Sequence, residues 1–350
     1  MRTQFYMLVM GLALCSCDDQ GDTSASPETP VPDAAMNPES DAGMGGAMAD
    51  AAVEPMADEG VDPPPDEVMC LEPEEGPLNG ACALEDRVGG FLVENQRQFT
   101  IVTGDVADSV LPQSVRPEKA REGDCRLLER PNLFCDPPCA SGETCDGNQC
   151  IPYPAPQDLG GVRIDGLQDC VQMQATPPGN NYFFNRLGRP GFEPGDWVNL
   201  VAEGLTLHGR GVAPLEESDE VWLLRRGEPL EVRWSAGNVD DAKVAITISI
   251  DQHGASPLSL HCDVADTGMT QVPAALIDRL IDGGVTGAPS GQLSRHTADS
   301  TMTEDGCVDF IVASSRARAV RVDGFTFCTM NADCPDGQTC DVPREVCVDE

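Results

Sequence analysis

The sequence predicts a mainly β protein: one antiparallel β-sandwich or two, with one short helix and two small disulfide-rich knuckles, preceded by a disordered acidic linker. Three observations predict it. Short segments alternate apolar and polar residues with period two, separated by clusters of Gly, Pro, Asn and Asp, as half-buried strands joined by turns do. One stretch, from Pro273 to about Ile281, has helical spacing instead. Sixteen cysteines, eight of them in two tight clusters, supply the staples that small modules need in place of a core.

Taken in order, the chain begins with a small positive start, Met1 and Arg2, and an apolar run of ten residues from Phe5 to Leu14. Crossing a bilayer takes roughly 20 apolar residues, so the run has the proportions of a cleavable secretory signal. It ends in Leu14-Cys15-Ser16-Cys17, which resembles the lipobox of bacterial lipoproteins. The resemblance implies a signal peptide at 1–16 and lipidation of Cys17, with three acyl chains giving a far firmer hold than one. Ser16 is the small residue wanted before the cut, whereas Cys15 follows bulky Leu14. Cys15 itself departs from the family pattern, where Ala, Ser or Thr is commoner. The implied place is the bacterial cell envelope, extracytoplasmic, with the membrane as partner through the N-terminal lipid. Asp18 and Asp19 leave inner versus outer membrane open.

Residues 17–66 read as a disordered acidic tether rich in Pro, Ala and Gly. No Lys or Arg occurs between Arg2 and Arg87, and one-signed charge with low hydrophobicity cannot bury enough surface to fold. A flexible coil of this length spans roughly 40 Å, enough to hold a domain clear of a membrane. The whole chain carries 59 acidic against 22 basic residues, a net charge of -37, which argues against nucleic acid as a partner. Removing Cys15 with the signal and lipidating Cys17 leaves 14 cysteines, an even number, as an oxidised extracytoplasmic protein would have.

Ordered composition starts near Val68. A first β segment (67–130) contains Phe99–Val102, and a sandwich domain (153–327) contains the clearest alternation. Val244, Ile246, Ile248 and Ile250 share one face of Lys243–Ile250; Leu230, Val232 and Trp234 share another, as do Leu258, Leu260, Cys262 and Val264. Weaker strands are Val162–Ile164, Val171–Met173, Trp197–Val201, Val308–Val312 and Ala317–Val322. Pro273 fits a first helical turn, Leu276 and Leu280 lie on one face, and Gly283-Gly284 stops the helix, which is expected to cross one end of the sandwich.

Cys262 lies on an inward face and Cys307 opens a hydrophobic strand, so Cys262–Cys307 is the expected inter-strand bridge, worth about 4 kcal/mol in the chain-entropy model. Trp234 precedes both, unlike the Trp between the bridged cysteines of immunoglobulin domains. Two knuckles (131–152 and 328–350) carry Cys135-x3-Cys139-x5-Cys145-x4-Cys150 and Cys328-x5-Cys334-x5-Cys340-x6-Cys347, each with a Gly-x-Thr-Cys core followed by Asp. Each four-cysteine set allows three connectivities. Both resemble the short modules of Dickkopf-type N-terminal cysteine-rich regions, over about 36 residues in all. That resemblance implies first-to-third and second-to-fourth pairing: Cys135–Cys145, Cys139–Cys150, Cys328–Cys340 and Cys334–Cys347. Cys70–Cys82 and Cys125–Cys170 complete the set.

Candidate chemistry is sparse. Asp266-Thr267-Gly268 has the form of an aspartic-protease loop, but that reaction needs two carboxylates sharing a proton and no second such tripeptide occurs. Asp266 is the single catalytic candidate, and the turn between a strand and the helix is its ordinary reading. The four histidines (208, 253, 261 and 296) give no metal-site spacing, and Asn331, Asp333, Asp336 and Asp341 fall short of an EF-hand loop. Arg225-Arg226, Arg316, Arg318 and Arg321 read as intramolecular pairs on an acidic body. The common hydrolase, zinc-protease and nucleotide signatures are missing, and no metal or cofactor is expected. The sequence therefore points to a lipid-anchored extracytoplasmic binding or envelope-structural module. Its expected ligand is a glycan or an envelope protein, and an extracytoplasmic hydrolase built on Asp266 is the alternative. Cys17→Ser should move the protein from the membrane to the soluble fraction on cell fractionation; continued membrane association would sink the lipobox reading.

Overall fold

The computed structural model describes residues 71–216, 220–251 and 257–349, so Cys17, Cys70, His253 and the tether lie outside the described residues. The described chain is mainly β, with one α-helix. Strands β1 (Arg87–Asn95), β2 (Thr100–Val106), β3 (Glu118–Glu122) and β4 (Cys125–Glu129) precede the first knuckle, which is the hairpin β5 (Glu143–Asp146) and β6 (Gln149–Pro152). There follow β7 (Val162–Asp165), β8 (Val171–Met173), β9 (Tyr182–Leu187), β10 (Trp197–Ala202), β11 (Leu205–Arg210), β12 (Val221–Leu224) and β13 (Leu230–Arg233). The remainder is β14 (Lys243–Ser249), β15 (Leu258–Ala265), β16 (Met269–Val272), α1 (Ala274–Asp282), β17 (Ser290–Met302), β18 (Cys307–Val322), β19 (Gln338–Asp341) and β20 (Val346–Asp349).

Ten strands form one sheet in the order β3-β4-β15-β14-β17-β18-β1-β2-β9, with β12 also on β18. Strands from before and after the first knuckle are thus interleaved in a single sheet. Its spine is the long antiparallel pair β17/β18, running from Ser290↔Ala319 to Met302↔Cys307. The other edge of β18 takes β1 and then β12, both parallel, so the sheet is mixed where only antiparallel pairing was expected. The stretches 308–312 and 317–322 are one strand, because the polar Ser314-Ser315-Arg316 between them stays extended and buried.

Two apolar clusters cover the same face of this sheet. Even-numbered residues of β18 point to that face: Val308, Phe310 and Val312 enter one cluster, Val320 and Val322 the other. The first cluster is the sandwich proper. A second sheet, β11-β10-β7-β8, packs Val162, Ile164, Leu200 and Leu207 against Phe91, Val93 and Phe310. Gly104 lets the Phe91 ring lie against the β2 backbone, where a Cβ would sit 2.1 Å from the ring. In the second cluster α1 buries Leu276, Ile277, Leu280 and Ile281. The helix packs on β3, β4 and β15, so it covers a face instead of crossing an end. Trp222 fills the remaining space over Gly291, where a Cβ would meet the indole at 2.8 Å.

Side chains of β17 guard the edge of the second sheet. Thr297 Oγ1 accepts from Arg210 N and donates to Arg210 O, and Asp299 accepts from His208 N at 2.9 Å. These bonds occupy main-chain groups of β11 that an edge strand would otherwise offer to another chain.

Three expected disulfides are corrected. Cys262 bonds Cys125, directly opposite it on β4, and Cys307 bonds Cys82. Strands β14 and β17 separate β15 from β18, a gap of about 14 Å at the usual strand spacing, beyond the reach of a Cys262–Cys307 bridge. Cys82 and Cys125 are consequently unable to pair with Cys70 and Cys170, although Cys170 is itself disulfide-bonded. The knuckle bridges Cys135–Cys145, Cys139–Cys150, Cys328–Cys340 and Cys334–Cys347 all form.

The opposite face of the large sheet carries small and polar residues, among them Ala245, Ala298, Ala313, Ser294, His261 and His296. Ser259 Oγ lies 2.9 Å from His261 Nε2, and Thr247 Oγ1 lies 3.4 Å from Nδ1. Burial, with Arg116 and Arg126 nearby, pushes the His261 imidazole down to about 3; burial also lowers His296, although Asp263 opposes it. The depressed His261 value means the unfolded chain takes up a proton below about pH 6.5 that the folded chain refuses until about pH 3, so stability falls as pH falls through that window. Urea unfolding should show His261 alone costing about 2 kcal/mol between pH 7 and pH 5, above the carboxylate range. His261→Gln should remove about that much of the pH dependence; an unchanged slope would contradict it.

Candidate functional site

Asp266 follows β15 at the point where the chain turns toward β16. Its side chain is 4 % exposed, and both oxygens are occupied by donors. Oδ1 accepts from Trp234 Nε1 at 2.6 Å, and Oδ2 accepts from Gly237 N at 2.9 Å and Arg295 Nε at 2.7 Å. Arg295, 2 % exposed on β17, also donates to Ala213 O at 2.7 Å and to Ser235 O. A protease dyad sets a second carboxylate against the first. The groups that meet Asp266 are donors, so its arrangement is that of a structural ion pair fastening the Trp234–Gly237 loop to the central strand.

A cleft of about 390 Å³ opens beside this loop, lined by Leu215, Arg233, Trp234, Gly268 and Arg318 among others. Arg233 is paired with Glu231 at 2.6 Å, and Arg318 donates to Ala317 O and Glu216 O. The remaining arginines of the sequence reading divide likewise: Arg225 meets Glu228, and Arg226 meets Asp282 at 2.6 Å. Arg316 is buried, and Arg321 is exposed on the outer face of β18.

The acidic residues of the C-terminal knuckle do turn chemistry. Asp333 accepts from Thr329 N, Met330 N and Thr329 Oγ1, and those bonds hold its carboxyl below the usual carboxylate range. Asn331 Oδ1 accepts from Cys340 N at 2.9 Å, and Asp341 lies 3.9 Å from Arg344. His208 is engaged with Asn199 at 3.2 Å, away from His261 and His296, so the described histidines do not assemble into one site.

The larger opening lies elsewhere, and the sequence reading missed it. The first knuckle turns through Gly147 and Asn148, both at positive φ (54° and 68°), the geometry of a two-residue type I′ hairpin. That turn faces the β3–β4 edge of the large sheet across a groove of about 1030 Å³. Pro112, Val115, Pro117, Pro131 and Pro257 supply rigid apolar walls, with Leu133 and Phe134 at the knuckle side. Glu129, Arg130, Asn132, Asp146 and Asn148 supply the polar groups. Phe134 is 86 % exposed, the most exposed large apolar residue among those described. Tyr153, half exposed, is held at the neighbouring 3-10 turn by Gln113 Nε2, which donates to its hydroxyl at 2.7 Å. The signal in the sequence was Phe134 beside Cys135 in a chain with few aromatic residues; its neighbours come from four separate segments and carry no motif.

Asp266→Asn should leave Arg295 as a buried charge without its anion, at a cost of about 3–5 kcal/mol in urea unfolding. A change within 0.5 kcal/mol would show that the pair is not structural. No protein-family model and no curated protein matches the chain.

Proposed function

We propose that the protein is a lipid-anchored, extracytoplasmic, non-enzymatic binding module that takes a neutral glycan in the groove between its first knuckle and the β3–β4 sheet edge. The observation that carries this reading is the groove itself, with the 86 %-exposed Phe134 ring at its knuckle wall. A large apolar ring left in water costs free energy that a binding partner recovers. Sugar rings present flat C–H faces that stack on such rings, and their hydroxyls bond to planar amides and carboxylates like those of Asn132, Asn148, Asp146 and Glu129. A protein partner would favour an interface centre depleted of these acidic groups. The volume, about 1030 Å³, stands at the upper end of the range for sites that enclose a ligand, as an oligosaccharide would need. With a net charge of -37, the field of the chain opposes polyanions and leaves neutral glycans unhindered. The lipobox resemblance, the long acidic tether and the disulfides that brace the described residues support an exported, membrane-held form.

Glycan-array binding of the purified full chain checks the reading. Phe134→Ala should weaken retention at least tenfold, about 1.4 kcal/mol, while the thermal midpoint stays within about 2 °C because the ring is exposed. Binding to no neutral glycan, or equal binding by Phe134→Ala, would overturn it.

A further inference from the structure

We infer that Arg316 and Asn95 hold a small carboxylate anion in the seam between the two apolar clusters. Arg316 is 5 % exposed and Asn95 is fully buried. Both point to the clustered face of the large sheet. Asn95 lies opposite Ser314 in the parallel β1/β18 register, and Arg316 follows two residues later on the same side of β18. The guanidinium reaches Asn95: Nη1 donates to Asn95 O at 3.5 Å and to Ser315 O at 2.5 Å. Its other edge, Nε and Nη2, meets no acceptor among the described residues, and neither does Asn95 Nδ2. The orientation of the Asn95 amide is set independently, because its Oδ1 accepts from Thr100 Oγ1 at 2.5 Å and from Gly191 N at 3.0 Å.

Of the other guanidinium groups buried on this face, Arg295 has Asp266 beside it and Arg318 donates to the Ala317 and Glu216 carbonyls; Arg316 has no carboxylate within ion-pair distance among the described residues. Burying a guanidinium without a counter-charge costs several kcal/mol, and buried donors of native proteins are nearly always satisfied. A water could accept from two of these donors but would leave the charge uncompensated. The Nε/Nη2 edge is the side-on fork of arginine, whose two parallel N–H groups match the two oxygens of a carboxylate. The Asn95 amide adds a third donor. Three donors and one positive charge define the ligand class: a compact monovalent oxyanion, formate or acetate in size. The site is apart from the knuckle groove and does not depend on what that groove binds.

The test is thermal unfolding of the purified full chain in sodium chloride and in sodium formate at equal ionic strength. Formate should raise the midpoint by about 2–4 °C once it exceeds its dissociation constant several-fold. Arg316→Met should lose this response. Should that variant fail to fold, Asn95→Asp carries the test. It keeps Oδ1 for Thr100 and Gly191 and puts a carboxylate oxygen in place of the amide. Asn95→Asp should have a higher midpoint than the parent in chloride and no formate response. Equal midpoints of the parent in the two salts, which a water alone at the fork would give, overturn the inference. So does an Asn95→Asp variant that is destabilised and still responds to formate.

Discussion

Arg295 and Asp266 hold together what apolar packing alone would leave as two neighbouring bodies. One cluster under α1 and another under the second sheet share a face of the large sheet, and the residues between them are polar. Arg295 stands in that gap, joined to Asp266 from the β15–β16 turn, to Ala213 from the segment before β12, and to Ser235 from the loop after β13. A hydrophobic contact there would have tolerated several relative positions of the covering segments. A planar guanidinium with directed bonds tolerates one. The stabilisation such a pair contributes over an apolar replacement is small, since desolvation offsets much of the attraction. Its effect lies in fixing how the covers sit on the sheet.

The same polar seam explains what was legible in the sequence and what was not. Strands β13, β14 and β15 stood out because their inward residues are apolar at every second position, and α1 stood out because Leu276 and Leu280 repeat at helical spacing. Strand β17, half of the central pair, escaped notice entirely. Its sequence, Ser290 to Met302, has Leu293 as its one large aliphatic residue, and five of its buried positions are polar: Ser294, Arg295, His296, Thr297 and Asp299. Periodicity rules weigh hydrophobicity, so a strand whose burial is satisfied by hydrogen bonds looks like a loop. The break at Ser314–Arg316 divided β18 in two for the same reason.

Disulfide pairing divides along a similar line. Within the knuckles, where partners are ten to thirteen residues apart, spacing alone left three connectivities for each set, and the pairing that forms is the one the resemblance to a known four-cysteine module implied. Across the sheet, pairing depends on strand order, and no local feature of Cys262 announces that β4 lies beside β15. The groove has the same character. Phe134 is visible in sequence, but Pro112, Pro131 and Pro257 reach it from segments whose proximity is set by that strand order.

The parallel pairing of β1 with β18 ties the order of emergence of the chain to the order of its assembly. Arg87 to Asn95 is synthesised more than 200 residues ahead of its partner, Cys307 to Ser314, and Cys82 must wait for Cys307 over a separation of 225. Until β18 arrives, β1 has β2 on one side and an unpaired edge on the other. Closing so long a loop before its contacts form makes completion of the sheet slow compared with local hairpins. The nascent domain therefore passes through a stage in which its N-terminal half is exposed, and truncation before Cys307 leaves a sheet without its spine.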